Sequence, residues 1–180
     1  KSIRTALPVV WTLHDLWPMS GGCHYAAGCE AFTQNCGSCP YLETDDSDDL
    51  THQEWEGKRS GYAALGDEDM IIVTPSQWLA REANRSSLLG RFETRVIPYG
   101  IDLDAFAPRE KNYCRDTLGI PREAIVLAFV ADGVMTRRKG FSVLAEALAT
   151  VTPEVKFHLI SVGSGPPPPI FGHQVSHFGR

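Results

Sequence analysis

His14 and Asp15 close the apolar run Leu7 to Leu13 (LPVVWTL). A titratable pair at the end of a strand sits where open α/β sheets bind ligands, at the carboxyl edge of the sheet. A neutral imidazole there can hydrogen-bond a hydroxyl or exchange a proton near neutral pH. The neighbouring carboxylate reads as an orienting or loop-capping group rather than an acid catalyst. Taken alone, a histidine in this place is more often structural, because geometry and not residue type makes a base.

Cys23, Cys29, Cys36 and Cys39 follow within one loop, spaced C-x5-C-x6-C-x2-C. Only the last pair has the interval of a common zinc knuckle, and thiolate coordination would close such a loop without a hydrophobic core. A structural zinc is the first expectation, packed thiols the second and disulfides the last. Cys114 lies far off in sequence and reads as a packed or free thiol.

A third candidate group is cationic. Arg137, Arg138 and Lys139 precede the amphipathic stretch Gly140 to Thr150 (GFSVLAEALAT). Adjacent cations at a helix start oppose its dipole and need a reason; a bound anion, which the first amides of a helix also favour, would supply one. Gly163 and Gly165 follow the next strand, where missing side chains would either let backbone amides approach a ligand or simply make a tight turn.

The elements that position these residues alternate. Leu7 to Leu13 predicts a strand buried on both faces, and residues 14–50 carry no sustained period, ending in the acidic tract Glu43 to Asp49, expected to be a solvated loop. A helix is expected over Gln53 to Leu65 and a strand over Met70 to Thr74. Ser76 then caps a helix running to Leu88, with Trp78, Leu79 and Ala83 inward. Thr94 to Ile97 is a short strand stopped by Pro98, and residues 99–107 are punctuated like a hinge. Beyond it come a short helix at Asn112 to Leu118 closed by Gly119, a fully buried strand at Ile125 to Ala131, the helix at Gly140 to Thr150 and a strand at Val155 to Val162. Strand, helix and strand at these lengths make a parallel crossover unit. Only two strands are legible in this second sheet, and the first half opens directly on a strand, so the chain is expected to be an internal fragment of a larger two-domain α/β protein.

Composition excludes other classes. The 180 residues hold 17 basic and 22 acidic side chains, a formal net charge of −5, so no global basic field is present to hold nucleic acid. No stretch approaches the roughly 20 apolar residues of a membrane span, and Lys1 to Pro8 lack a secretory signal pattern. With five cysteines in an uneven cluster, a reduced cytoplasmic setting is expected.

The motifs VWTLHDLWP (10–18), GGCHY (21–25), TPSQWL (74–79), VIPYGID (96–102), RKG (138–140) and VGSG (162–165), in this order, resemble glycosyltransferase family 4, closest to its bacterial exopolysaccharide and lipopolysaccharide branch. The resemblance implies a GT-B fold, with two Rossmann-like domains facing each other across a cleft and both incomplete here. Residues 1–98 would be the later part of an acceptor domain with the cysteine-rich loop at 14–42, residues 99–107 the hinge and 108–180 the start of a donor domain. The implied activity is retaining transfer of a sugar from a nucleotide-sugar donor to a saccharide or lipid-linked acceptor, without a catalytic metal, in the cytoplasm or at the inner face of the membrane. His14 would lie by the donor sugar with Asp15 beside it. Arg138, Lys139, Gly163 and Gly165 would face the donor phosphates, and His24 and Tyr25 the acceptor. The family often carries an arginine directly after the glycine that follows the first donor-domain strand, but Val134 follows Gly133 here, so Arg137 or Arg138 would have to substitute. The family's paired glutamates would fall beyond Arg180. Two other classes are compatible with parts of the pattern: a GT-B nucleotide-sugar epimerase or hydrolase, and a noncatalytic zinc-stabilised interaction module.

Overall fold

The structure, a computed structural model, describes residues 7–151, 157–170 and 172–179. The chain is mixed α/β and divides into two compact units, Lys1–Asp102 and Leu103–Arg180. Each contains a three-stranded, all-parallel sheet.

In the first unit the strands are β1 (Val9–Thr12), β2 (Met70–Thr74) and β3 (Glu93–Val96), in that spatial order. β2 is central and buried, as its sequence MIIVT requires. β1 differs from expectation. It alternates half-buried and exposed positions, with Val10 66% exposed, because only its Val9 and Trp11 side packs on the core. Two helices pack with this sheet. α1 (Leu50–Tyr62) starts three residues earlier than predicted, because Asp49 caps it: Asp49 Oδ1 accepts from the Thr51 and His52 amides. The last residue of the acidic tract is therefore buried and structural rather than solvated. α2 (Gln77–Arg85) has the expected Ser76 cap, its hydroxyl accepting from the Leu79 amide. Leu79, Ala80 and Ala83 face inward, whereas Trp78, expected inside, is 51% exposed. The core joins Leu13, Leu16, Met19, Phe32, Trp55 and Tyr62 to β2 and α2.

The second unit holds α3 (Lys111–Leu118), β4 (Ile125–Gly133), α4 (Phe141–Ala149), β5 (Phe157–Ser164) and β6 (Gln174–Phe178). Gly119 ends α3 in the left-handed conformation, φ 66°, as a helix-terminating glycine does. α4 connects β4 to β5, and its Phe141 and Leu148 bury against Leu159, Val134 and Ile170. Two expectations are corrected. β4 is not fully buried: Ala128 and Val130 are exposed while Leu127 and Phe129 pack inward, so one face is open. A third strand, β6, also joins the sheet, parallel to β5. QVSHF has too few apolar residues to announce a strand, and the register comes instead from its ladder with β5 and from Ile170, which anchors the proline-rich connection in the core. The first residues of the strand expected at 155–162, Val155 and Lys156, lie outside the described residues, as do Lys1 to Ala6 and Arg180.

Candidate functional site

The carboxyl ends of β1 and β3 bring together residues far apart in sequence. The β1–β2 ladder extends one residue past β1, where the Leu13 amide donates to the Val73 carbonyl; the Ile97 amide does the same past β3 to the Thr74 carbonyl. These bonds fix the backbones that carry His14 and Tyr99. His14 Nδ1 and Tyr99 Oη are 2.5 Å apart, and the two rings lie nearly parallel, 11° between planes and 5.7 Å between centroids. Asp15 accepts from the Trp17 amide at 2.9 Å and from His24 Nδ1 at 2.7 Å. Partial burial favours its neutral acid, but the bonds from His24 and the Trp17 amide and the charges of both histidines outweigh this and hold the carboxyl below its usual range. The expected site residues His14, Asp15 and His24 therefore share one edge. Tyr25 follows on the same loop, 52% exposed.

The loop that carries His24 is tied down mostly by backbone groups. The Leu16 amide donates to the His24 carbonyl, Ser20 Oγ to the Cys23 carbonyl, and the Gly21 amide to Cys36 Sγ at 3.2 Å. The Cys39 amide donates to Asp49 Oδ2, which joins the cysteine turn to the cap of α1. Lys58 reaches in from α1: its ammonium donates to the Trp17 and Ser20 carbonyls at 2.7 and 2.8 Å and sits 3.9 Å from the centre of the Trp17 ring. Burial holds its pKa down, against the raising influence of Glu54, Cys36, Cys23 and Asp15. Neither Lys58 nor Asp49 stands out in the sequence. Asp49 has a signal, a carboxylate directly before a helix, hidden by its place in an acidic run; Lys58 has none.

Cys23, Cys29, Cys36 and Cys39 are all unbridged. Burial, and after it the thiols of Cys39, Cys36 and Cys29, push the Cys23 thiol up; burial likewise raises Cys36. Among the described residues no three His, Cys, Asp or Glu side chains are grouped as a metal ion needs. The expectation of a thiolate-held zinc gains no support from this arrangement. Beside the loop lies a cavity of about 200 Å³, walled by Ala26, Cys29, Phe32, Trp78, Glu82 and Arg85.

In the second unit, Arg137, Arg138 and Lys139 form a single exposed 3-10 turn that ends on Gly140, in left-handed conformation at φ 83°. Gly140 caps α4 without a side-chain hydrogen bond, so no capping side chain occupies the amides at the start of that helix. Gly163 has an internal reason to be glycine. At φ 139° a Cβ would overlap the Ala131 carbonyl oxygen, a close crossing of the ends of β4 and β5. The crossing is closed by the Val134 amide to the Ser164 carbonyl and by Ser164 Oγ to the Asp132 carbonyl. Gly165, also left-handed at φ 78°, faces open space.

No protein-family model matches the chain, and no solved structure gives a significant match. Curated relatives do. One, of Escherichia coli K12, is assigned by its name to colanic acid biosynthesis as the glycosyl transferase WcaC; it is 33% identical over 129 residues, which are 70% of this chain and 31% of that protein. Another, of Bacillus subtilis 168, is assigned by its name to teichuronic acid biosynthesis as the glycosyltransferase TuaC; it is 27% identical over 174 residues, 92% of this chain and 43% of that protein. A D-inositol 3-phosphate glycosyltransferase of Geodermatophilus obscurus is 27% identical over 111 residues, 54% of this chain and 24% of that protein. The chain spans less than half the length of these relatives. Among the described residues no helix is long and apolar enough to cross a membrane.

Proposed function

We propose that the chain belongs to a retaining glycosyltransferase of the GT-B type, family 4, acting in cell-surface polysaccharide synthesis. The first unit belongs to the acceptor side and the second to the nucleotide-sugar side. The observation that carries the reading is the match, over 70% and 92% of the chain, to proteins named as glycosyltransferases of colanic and teichuronic acid synthesis. Their names favour transfer over epimerisation or hydrolysis.

In such a reaction the bond between the anomeric carbon and the phosphate oxygen breaks as the acceptor hydroxyl oxygen bonds to that carbon, and the hydroxyl proton passes to the departing phosphate. Negative charge grows on the phosphate, so preorganised donors aimed at it lower the barrier. Arg138 and Lys139, with the uncapped amides that open α4, are the groups of this chain suited to that charge. No metal is required for it. His14 hydrogen-bonds the donor sugar, Asp15 orients His24, and His24 and Tyr25 meet a saccharide or lipid-linked acceptor. The cavity beside Trp78, Glu82 and Arg85 offers an aromatic face and charged edges of the kind sugars bind. The enzyme works in the cytoplasm or at the inner membrane face.

Calorimetric titration of the full-length protein with UDP, GDP, ADP and dTDP tests this. One of them is expected to bind, and Lys139→Ala to weaken it at least tenfold, about 1.4 kcal/mol. Binding by none of the four, or equal affinity in the variant, would overturn the reading.

A further inference from the structure

Sequence alone puts Tyr99 in a hinge and assigns it no task. In the structure it belongs to the first unit, three residues past β3, with its hydroxyl on His14 Nδ1 at 2.5 Å and its ring nearly parallel to the imidazole. Both side chains are exposed, so their bond adds little to folding stability, exchanging as it does for bonds to water. Its effect falls on the imidazole. A phenol is a good donor, and an unprotonated imidazole nitrogen is the better acceptor of the two groups. The Tyr99 O–H therefore points at Nδ1, and the single ring proton of neutral His14 resides on Nε2. The adjacent carboxylate, Asp15, is already engaged by His24 and the Trp17 amide and does not compete for that nitrogen.

We propose that Tyr99 is a positioning residue that locks His14 in the Nε2–H tautomer, making it a hydrogen-bond donor to a ligand oxygen and not an acceptor of the acceptor hydroxyl's proton. The tautomer follows from the geometry; its use in sugar transfer rests on the function proposed above. The hydroxyl fixes the ring proton, so that a single N–H vector is presented at the sheet edge.

The test is long-range 15N–1H correlation NMR of the full chain with labelled histidine, at a pH where imidazole is neutral, the His14 signals being identified with His14→Gln. The native chain is expected to show Nδ1 unprotonated and Nε2 protonated. Tyr99→Phe, which keeps the ring and removes the hydroxyl, is expected to give averaged shifts of mixed tautomers with the other histidines unmoved. A proton on Nδ1 in the native chain, or no change in the variant, would overturn the tautomer lock. A second arm measures sugar transfer by the full-length protein: Tyr99→Phe is expected to lower kcat about tenfold with little change in donor KM, and to cost nothing further in a His14→Ala background. If the NMR result stands while kcat of both variants is unchanged, the lock survives and the assignment of His14 to sugar transfer falls.

Discussion

Asp15 and His24 form a carboxylate–imidazole pair, 2.7 Å from Oδ2 to Nδ1, whose second carboxylate oxygen is held by the Trp17 amide. The histidine is the more exposed partner, 64% against 27%, so the carboxylate acts as the fixed base of the pair and the imidazole as the part that faces solvent.

That pairing has an acid signature. Burial works to raise the Asp15 pKa, but its hydrogen bonds prevail and the carboxyl titrates below the ordinary 3.8. A carboxyl depressed in the folded state contributes stability above its unfolded pKa and loses it as pH falls through the folded one. Asp15→Asn is expected to lower Tm near neutrality and to flatten the decline of Tm below about pH 4. Parallel acid limbs in the two proteins would contradict the pairing.

Tyr62 predicts the opposite limb. Its hydroxyl donates to the Pro18 carbonyl at 3.0 Å, and burial pushes its pKa up to about 12. An acid whose folded pKa is raised contributes stability that is complete below its unfolded value, about 10, and is lost as pH climbs through the folded one. About 2–3 kcal/mol is at stake over that window. Tyr62→Phe should be less stable at neutral pH and should lack this alkaline loss, as followed by urea unfolding at stepped pH.

Lys58 staples the turn after His14 to α1 by holding two carbonyl oxygens at once. Lys58→Met keeps the aliphatic stem and leaves the Trp17 and Ser20 carbonyls without their donor, a loss of about 2 kcal/mol. Because the same turn carries Asp15 and Trp17, the His24 ring signal should broaden or shift in this variant. An unchanged unfolding midpoint would show that water replaces the ammonium at no cost.

Gly21 separates two kinds of glycine. A Cβ there would overlap the Thr51 carbonyl oxygen, a backbone contact that no rotamer change relieves. Gly21→Ala should cost about 2–3 kcal/mol. Gly57 and Gly61, on α1 with nothing within 4 Å of where a Cβ would project, should instead gain up to about 1 kcal/mol each as alanine. Thermal melts of the three single variants decide the matter by sign.

Much of this fold is legible in the sequence. Apolar β-branched runs locate five of the six strands among the described residues, and the Ser76 cap and Gly119 stop bound two helices, because these signals are local. Burial on both faces of β1 and β4 does not hold, since an apolar residue such as Val10 or Val130 does not declare whether anything covers it. β6 escapes notice because its place comes from pairing with β5 rather than from its own five residues. At the site, His14, Asp15 and His24 are legible as chemistry-bearing types. The partners that orient them are not: Tyr99 lies 85 positions from His14, and Lys58 lies 41 positions from Trp17, separations over which only the folded backbone creates a neighbourhood.

The crossing of β4 and β5 at Ala131 and Gly163 has a mechanical consequence. The turn that leads from Gly133 toward Lys139 and the turn at Ser164 and Gly165 are stitched to each other through Val134, Ser164 and Asp132. Because these bonds join the two turns directly, neither can be displaced without straining the hydrogen bonds that hold the other.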